Sequence, residues 1–101
     1  FFQSPTVYDE KAVSKNWKED TSSLMQTLIS ILESVDDFNS INIETIVKEW
    51  ITSKEIGFGK VMQPFRLSLV GEMKGPHLFV IAEMIGKSET ISRIQKAIDT
   101  L

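Results

Sequence analysis

The feature that most constrains the fold of this chain is the spacing of its large apolar residues. In two long stretches they recur every three or four positions, which is the repeat of one face of an α-helix. They are Leu24, Leu28, Ile31, Leu32 and Val35 in the first stretch, and Ile43, Ile46, Val47, Trp50 and Ile51 in the second. This spacing predicts two amphipathic helices that share a core.

Shorter apolar stripes predict three more helices. One lies before the two long stretches, one opens at Pro76 and is closed by Gly86, and one ends the chain. Their apolar residues are Tyr8, Ala12, Val13 and Trp17 in the first, Leu78, Phe79, Ile81, Ala82 and Ile85 in the second, and Ile91, Ile94, Ile98 and Leu101 in the third. We expect Trp17 and Trp50 to fill the core, as large aromatic side chains usually do.

Small and polar residues mark where these helices should begin and end. Asp20 or Thr21 can cap the second helix and Asn42 the third, because a short side-chain oxygen accepts from free N–H groups at a helix start. Gly57 and Gly59 predict a left-handed stop followed by a flexible loop.

Residues 61–70 are ambiguous by pattern. Phe65, Leu67 and Leu69 alternate as in a strand, whereas Val61, Phe65 and Leu69 have helical spacing. Pro64 could occupy the first turn of a short helix, where its missing N–H costs little. Both interpretations stay open from the sequence.

The fold class that follows is all-α: a compact helical cage of about five or six short helices around one core. Residues 1–101 are expected to form a single domain, with residues 1–7 as a lead-in. No apolar run approaches the ~20 residues that a membrane-spanning helix needs.

Charge is distributed unevenly along the chain. The net charge is −3, which argues against a generic nucleic-acid binder. Residues 1–53 hold 4 Lys and Arg against 9 Asp and Glu, a net of −5, whereas residues 54–101 hold 7 against 5, a net of +2. Any contact with an anion should therefore be sought in the C-terminal half.

Residues with catalytic chemistry are sparse. The chain has no cysteine and one histidine, His77, which is interpreted as a surface residue in a turn. Residues 57–60 (GFGK) lack the upstream glycine of a phosphate-binding loop. No metal-ligand spacing is present. A free-standing enzyme is therefore not expected.

Three motifs follow one another in a specific order. They are residues 59–71 (GKVMQPFRLSLVG), 74–79 (KGPHLF) and 85–90 (IGKSET), preceded by residues 8–12 (YDEKA) and 17–19 (WKE). Together they resemble the C-terminal signature of bacterial glutamyl-tRNA synthetases, and the likeness covers nearly the whole chain. Each motif alone is weak, but their order and spacing are fairly specific.

The resemblance implies an all-α anticodon-binding domain that lies far from the synthetase active site. The family's catalytic signatures, His-Ile-Gly-His and Lys-Met-Ser-Lys-Ser, are missing here. It implies no catalytic residue and no cofactor in this chain, with ATP and Mg²⁺ bound by the catalytic domain of a longer parent. The implied partners are the anticodon loop of a glutamate tRNA and that catalytic domain, in a cytoplasmic monomer without a membrane contact.

The resemblance also implies where the tRNA would bind. The family positions that match Arg66, Pro76, Leu78 and Phe79 lie against the first anticodon bases. The predicted site is completed by three neighbouring residues, Lys60, Lys74 and Gly75. Gly75 departs from the family pattern, because a polar residue often precedes the turn proline and its side-chain hydrogen bond is lost here.

The chemistry of the predicted site suits an unstacked RNA loop, whose bases are recognised by their edges and faces. Arg66 supplies a planar fork of donors, and the apolar start of the Pro76 helix supplies a surface and free N–H groups. Other interpretations remain open. Leu78 and Phe79 could be core residues, Arg66 could belong to a structural ion pair, and the lysines could be solvated.

A second function is compatible with the same pattern: a helical protein–protein interaction domain without RNA binding. The surface around Arg66 discriminates between the two functions. A basic, partly apolar concave surface favours RNA, whereas a flat apolar patch favours a protein partner.

Overall fold

A computed structural model describes residues 8–71 and 77–101, and these residues fold into five α-helices. They are α1 (Glu10–Asn16), α2 (Thr21–Glu33), α3 (Ser40–Ser53), α4 (Phe58–Val70) and α5 (Leu78–Thr100). The described residues contain no strand, which confirms the predicted all-α class. The predicted lead-in, residues 1–7, lies outside the described part of the chain.

The ambiguity of residues 61–70 is resolved by two buried faces of α4. Val61, Phe65 and Leu69 are fully buried in the main core, at helical spacing. Leu67 is fully buried in a second cluster on the opposite side, where α1 and the end of α5 pack through Ala12 and Ala97. A helix buried on two sides produces an apolar alternation that imitates a strand.

The main core joins α2, α3, α4 and α5. The side chains that are fully buried there come from each of these helices: Met25, Leu28, Leu32, Ile43, Val47, Val61, Phe65, Leu69, Ile81, Ala82 and Ile94. Trp17 and Trp50, which we expected in the core, are half-buried and pack against its edge.

The helix starts differ from the sequence prediction in their chemistry. Asn39, not Asn42, caps α3: its side-chain oxygen accepts from the backbone N–H of Asn42 at 2.8 Å. Asp20 is the N-cap of α2 but makes no capping hydrogen bond. The Thr21 hydroxyl accepts instead from the backbone N–H of Lys18 at 2.8 Å.

The boundary between α3 and α4 was also predicted wrongly. The left-handed residue is Glu55, with φ 55°, whereas Gly57 has φ −61° and is the N-cap of α4. Gly59 lies inside α4 rather than in a loop. Pro64 is not in the first turn of α4 but in its interior, and the Ser68 hydroxyl donates to the Pro64 carbonyl at 2.8 Å.

Helix α5 consists of two arms on either side of Gly86. The φ of 86° and ψ of 166° at Gly86 lie outside the helical region, so the two predicted C-terminal helices are present as the arms 78–85 and 87–100. The Thr90 hydroxyl donates to the Ala82 carbonyl at 3.3 Å across the kink, which satisfies one of the carbonyls that the kink releases.

Arg93 ties the second arm of α5 to the end of α4. Its side chain is fully buried, its Nη1 donates to the Leu69 carbonyl at 2.8 Å, and its Nε donates to Glu89 Oε2 at 2.7 Å. This contact orients the end of α4 against the C-terminal arm.

No helix within the described residues is long and apolar enough to cross a bilayer.

Candidate nucleic-acid interface

A concave cavity of about 250 Å³ opens between α3, α4 and the start of α5. Its lining combines charged, polar, aromatic and aliphatic side chains. They are Glu44 and Lys48 of α3, Phe58, Met62, Gln63 and Arg66 of α4, and His77, Leu78 and Phe79 at the start of α5.

One face of α4 forms a wall of this cavity because of its sequence register. Phe58, Met62 and Arg66 follow one another at intervals of four residues, so their side chains lie along one side of the helix. Two further faces of α4 are buried in the two cores through Phe65 and Leu67, whereas Lys60 and Gln63 are exposed. Phe58 remains 51% exposed although it is a large aromatic residue.

The first turn of α5 forms the apolar floor. Leu78 and Phe79 are only 3% and 2% exposed, so of the interpretations left open by the sequence the structure supports the core one. His77 is exposed, and its ring lies 5.4 Å from the Phe79 ring at a tilt of 45°. The floor therefore offers edges of core residues rather than a free aromatic face.

Opposite charges face each other on the α3 side. Lys48 Nζ lies 2.5 Å from Glu44 Oε2, one helical turn away. This hydrogen bond lowers the pKa of the Glu44 carboxyl, while burial opposes it, and the electrostatic influence of Lys48 and His77 lowers the pKa further. The cavity thus keeps an ionised acceptor beside an ammonium donor.

The structure brings together three of the predicted site residues and separates a fourth. Arg66, Leu78 and Phe79 all line the cavity. Arg66 is half-buried and interacts within the chain. Lys60 does not line it; its Nζ lies 2.5 Å from Asp20 Oδ2, in a pair whose two side chains are about half exposed.

The remaining three predicted residues, Lys74, Gly75 and Pro76, lie outside the described residues. Their roles stay predictions. No group of three or more His, Cys, Asp or Glu side chains within residues 8–71 and 77–101 is arranged to hold a metal ion.

Sequence reasoning missed six lining residues: Glu44, Lys48, Phe58, Met62, Gln63 and His77. Glu44 and Lys48 stand at i and i+4 of a predicted helix, which normally indicates only a solvated surface pair. Phe58 lies beside two glycines in a stretch that we interpreted as a loop. A usable signal would have been its spacing, because Phe58 stands three residues before Val61 and seven before Phe65, in register with the apolar stripe of α4.

Comparison with known proteins agrees with this geometry. A sequence-family model described as "Anticodon binding domain" matches residues 1–98. The glutamate–tRNA ligase of Flavobacterium johnsoniae is 72% identical over all 101 residues, which make up 20% of that ligase. The glutamate–tRNA ligase of Phocaeicola vulgatus is 48% identical over all 101 residues, which again make up 20% of that ligase.

Solved structures give the same result. A crystal structure of a glutamate tRNA ligase from Elizabethkingia meningosepticum, in complex with its amino acid, superposes with a TM-score of 0.94 at 49% identity, covering 98% of this chain and 20% of that one. A crystal structure of a glutamate-tRNA synthetase from Elizabethkingia anophelis superposes with a TM-score of 0.83 at 46% identity, covering 96% of this chain and 18% of that one. The chain spans about one fifth of the length of these relatives. The five helices of its described residues are arranged as in these ligases. Since the family model also matches nearly its whole length, the chain belongs to the anticodon-binding domain family.

Proposed function

We propose that this chain recognises the anticodon loop of a glutamate tRNA, as the C-terminal domain of a glutamate–tRNA ligase. The observation that carries the proposal is the cavity around Arg66, which is concave and combines cations, an aromatic wall and an apolar floor. Those are the properties that recognition of an unstacked loop requires. Its relatives, at up to 72% identity among those compared, bear the name glutamate–tRNA ligase.

Arg66 is the residue to which we assign the directed contact. Its guanidinium carries a planar set of donors that can pair with a base edge or a phosphate. Lys48 adds a second cation on the facing helix. The cavity also lies at the N-terminus of α5, where the helix dipole places partial positive charge.

The chemistry of aminoacylation is assigned to the rest of such a ligase. The 101 residues span only a fifth of the related enzymes, and they lack the family's two catalytic signatures. On this proposal the catalytic domain of the same chain binds ATP with Mg²⁺ and attaches glutamate, in a cytoplasmic monomer. The purified 101-residue chain should then show no glutamate-dependent ATP–pyrophosphate exchange.

A helical protein-interaction domain is the alternative. In its favour, Ile41, Val80 and Met84 are large apolar side chains with 40% or more of their surface exposed, and they lie outside the cavity lining. Such side chains are common on soluble proteins, whereas a cavity that joins aromatic and cationic groups is not explained by this alternative.

Binding of a labelled anticodon stem-loop to this chain tests the proposal. The expected result is a preference for the glutamate anticodon loop over a scrambled loop on the same stem. Affinity should be low because the net charge is −3, and phosphate contacts dominate RNA affinity. Equal binding of both loops would exclude anticodon recognition by this domain.

A further inference from the structure

Phe58 is the exposed aromatic side chain of the cavity wall. Within the described residues it is one of few large apolar side chains left in solvent, with 51% of its surface exposed. The floor residues Leu78 and Phe79 are almost wholly buried and cannot offer a face. A base that stacks in this cavity therefore has Phe58 as its larger available aromatic partner, beside the smaller exposed ring of His77.

The size of the cavity limits what it can take. A volume of about 250 Å³ lies just below the ~300–1,000 Å³ of pockets that hold drug-sized ligands. A single flat ring system fits this space better than a whole nucleotide with its sugar and phosphate.

The charges inside the cavity favour a base over a phosphate. Lys48 and Arg66 supply donors, but the Glu44 carboxylate stands among them, held 2.5 Å from Lys48 Nζ. A glutamate carboxyl is ionised at neutral pH, so Glu44 would repel a phosphate that approaches it. A carboxylate accepts instead from the amino group of a base, most directly from N4 of cytosine.

We propose that the cavity holds one unstacked nucleobase, whose ring packs on Phe58 and whose exocyclic amino group donates to Glu44. This inference rests on the proposed anticodon recognition and names the residues that select the base. Glu44 then favours a base with an amino group over uracil, which carries a carbonyl at the corresponding position. Lys48 holds the carboxylate in place and offers its own donor to a neighbouring acceptor.

Titration of the 101-residue chain with the anticodon stem-loop, followed by NMR, tests the stacking step. The methyl group of Met62 lines the cavity and should shift when a base enters, whereas that of Met84, 49% exposed and outside the lining, should not. Phe58→Ala should weaken binding about 5- to 100-fold, as expected for one lost stacking contact. Phe58→Tyr should retain binding. Ile41→Ala, a truncation at a site 74% exposed outside the cavity, is the matched control.

The selection step is tested with stem-loops that carry cytosine or uracil at each anticodon position in turn. The wild-type chain should prefer cytosine at one position, and Glu44→Gln should reduce that preference about 10-fold or more, because an amide can also donate to uracil. Glu49→Gln on the same helix, outside the cavity lining, should leave it unchanged.

The outcomes separate the two proposals. A chain that prefers the native loop but is unaffected by both Phe58→Ala and Glu44→Gln overturns this inference and leaves anticodon recognition standing. A chain that binds native and scrambled loops equally overturns both. Loss of affinity in Phe58→Ala together with loss of base preference in Glu44→Gln supports both steps.

Discussion

The two arginines of this domain lie in contrasting surroundings. Arg93 is buried between the second arm of α5 and the end of α4, where it donates to the Leu69 carbonyl and to Glu89. Arg66 is half-buried and borders an open cavity. The Arg93 guanidinium is enclosed among internal partners, whereas Arg66 lines a cavity that a ligand can enter.

This contrast shows how the same residue type can serve stability in one place and recognition in another. At Arg93 two guanidinium nitrogens, Nε and Nη1, have partners, whereas the buried Nη2 has none. Loss of either partner would leave more of a buried cation uncompensated, so we expect the site to tolerate little change. Arg66 also interacts within the chain, but its side chain is only half-buried, so we expect its removal to destabilise the fold less than removal of Arg93. Variants of Arg93 and Arg66 test this division directly.

Arg93→Ala should give the largest loss of stability, about 3 kcal/mol, because it removes a packed side chain and leaves the buried Leu69 carbonyl without its donor. Urea unfolding followed by circular dichroism measures the change. Arg93→Met keeps the volume of the stem and should recover part of the loss. Lys54→Ala, at an exposed C-cap, is the control; equal effects of the two alanine variants would refute a structural role for Arg93.

Arg66→Ala should lower the efficiency of a ligase carrying this domain about 10- to 100-fold on its tRNA, since a directed charged contact to a base contributes ~1–3 kcal/mol. The melting temperature of the domain should change little. Arg66→Lys should rescue poorly, because an ammonium lacks the planar fork. Aminoacylation kinetics and thermal unfolding of the same variants provide both measurements.

The competing interpretation makes Arg66 a member of a structural ion pair, and Arg66 does interact within the chain. It predicts a melting temperature lower by several degrees. It also predicts that Arg66→Ala lowers aminoacylation efficiency equally for the cognate tRNA and for a tRNA with an altered anticodon. If both are observed, Arg66 belongs with Arg93 and the division between the two sites fails.

Gly86→Ala should destabilise the domain by about 1–3 kcal/mol, since φ 86° and ψ 166° lie in a region that only glycine adopts readily. A Cβ there would meet no heavy atom within 4 Å, so the cost comes from the backbone and not from a clash. Gly59→Ala inside α4, where the nearest contact is Gln63 Nε2 at 3.4 Å, should stabilise by about 0.5–1 kcal/mol. Denaturant unfolding measures the change in unfolding free energy of both variants. Changes of opposite sign would place the backbone strain at the kink between the two arms.

Lys60→Ala should have the smallest effect on stability. Its pair with Asp20 is solvated, and such pairs contribute little. The hydrogen bond from Lys60 lowers the pKa of Asp20, so any stabilisation is present above the unfolded-state pKa and is lost as the pH falls through the folded-state value. The unfolding free energies of wild type and variant should therefore differ little at neutral pH and become equal in acid. A fall in the salt dependence of tRNA binding in the variant would instead indicate that Lys60 contacts a tRNA phosphate.

Part of the site could be predicted from the sequence, and the reason differs for each residue. Arg66 stood out because the ordered motifs around it resemble a known signature. Glu44 and Lys48 belong to a helix far away in the chain, and only packing of α3 against α5 brings them to the cavity that Arg66 borders. No local pattern carries that information.

The period of the apolar residues was sufficient for the all-α class, because burying one stripe of a helix leaves a repeat of three or four in the sequence. It was insufficient where a helix is buried on two sides, as Leu67 opposite Phe65 shows. It also left open whether Leu78 and Phe79 face solvent or core. The packing of α5 against α3 and α4 buries them and leaves Phe58 exposed at the wall, because burial depends on which faces of distant helices meet.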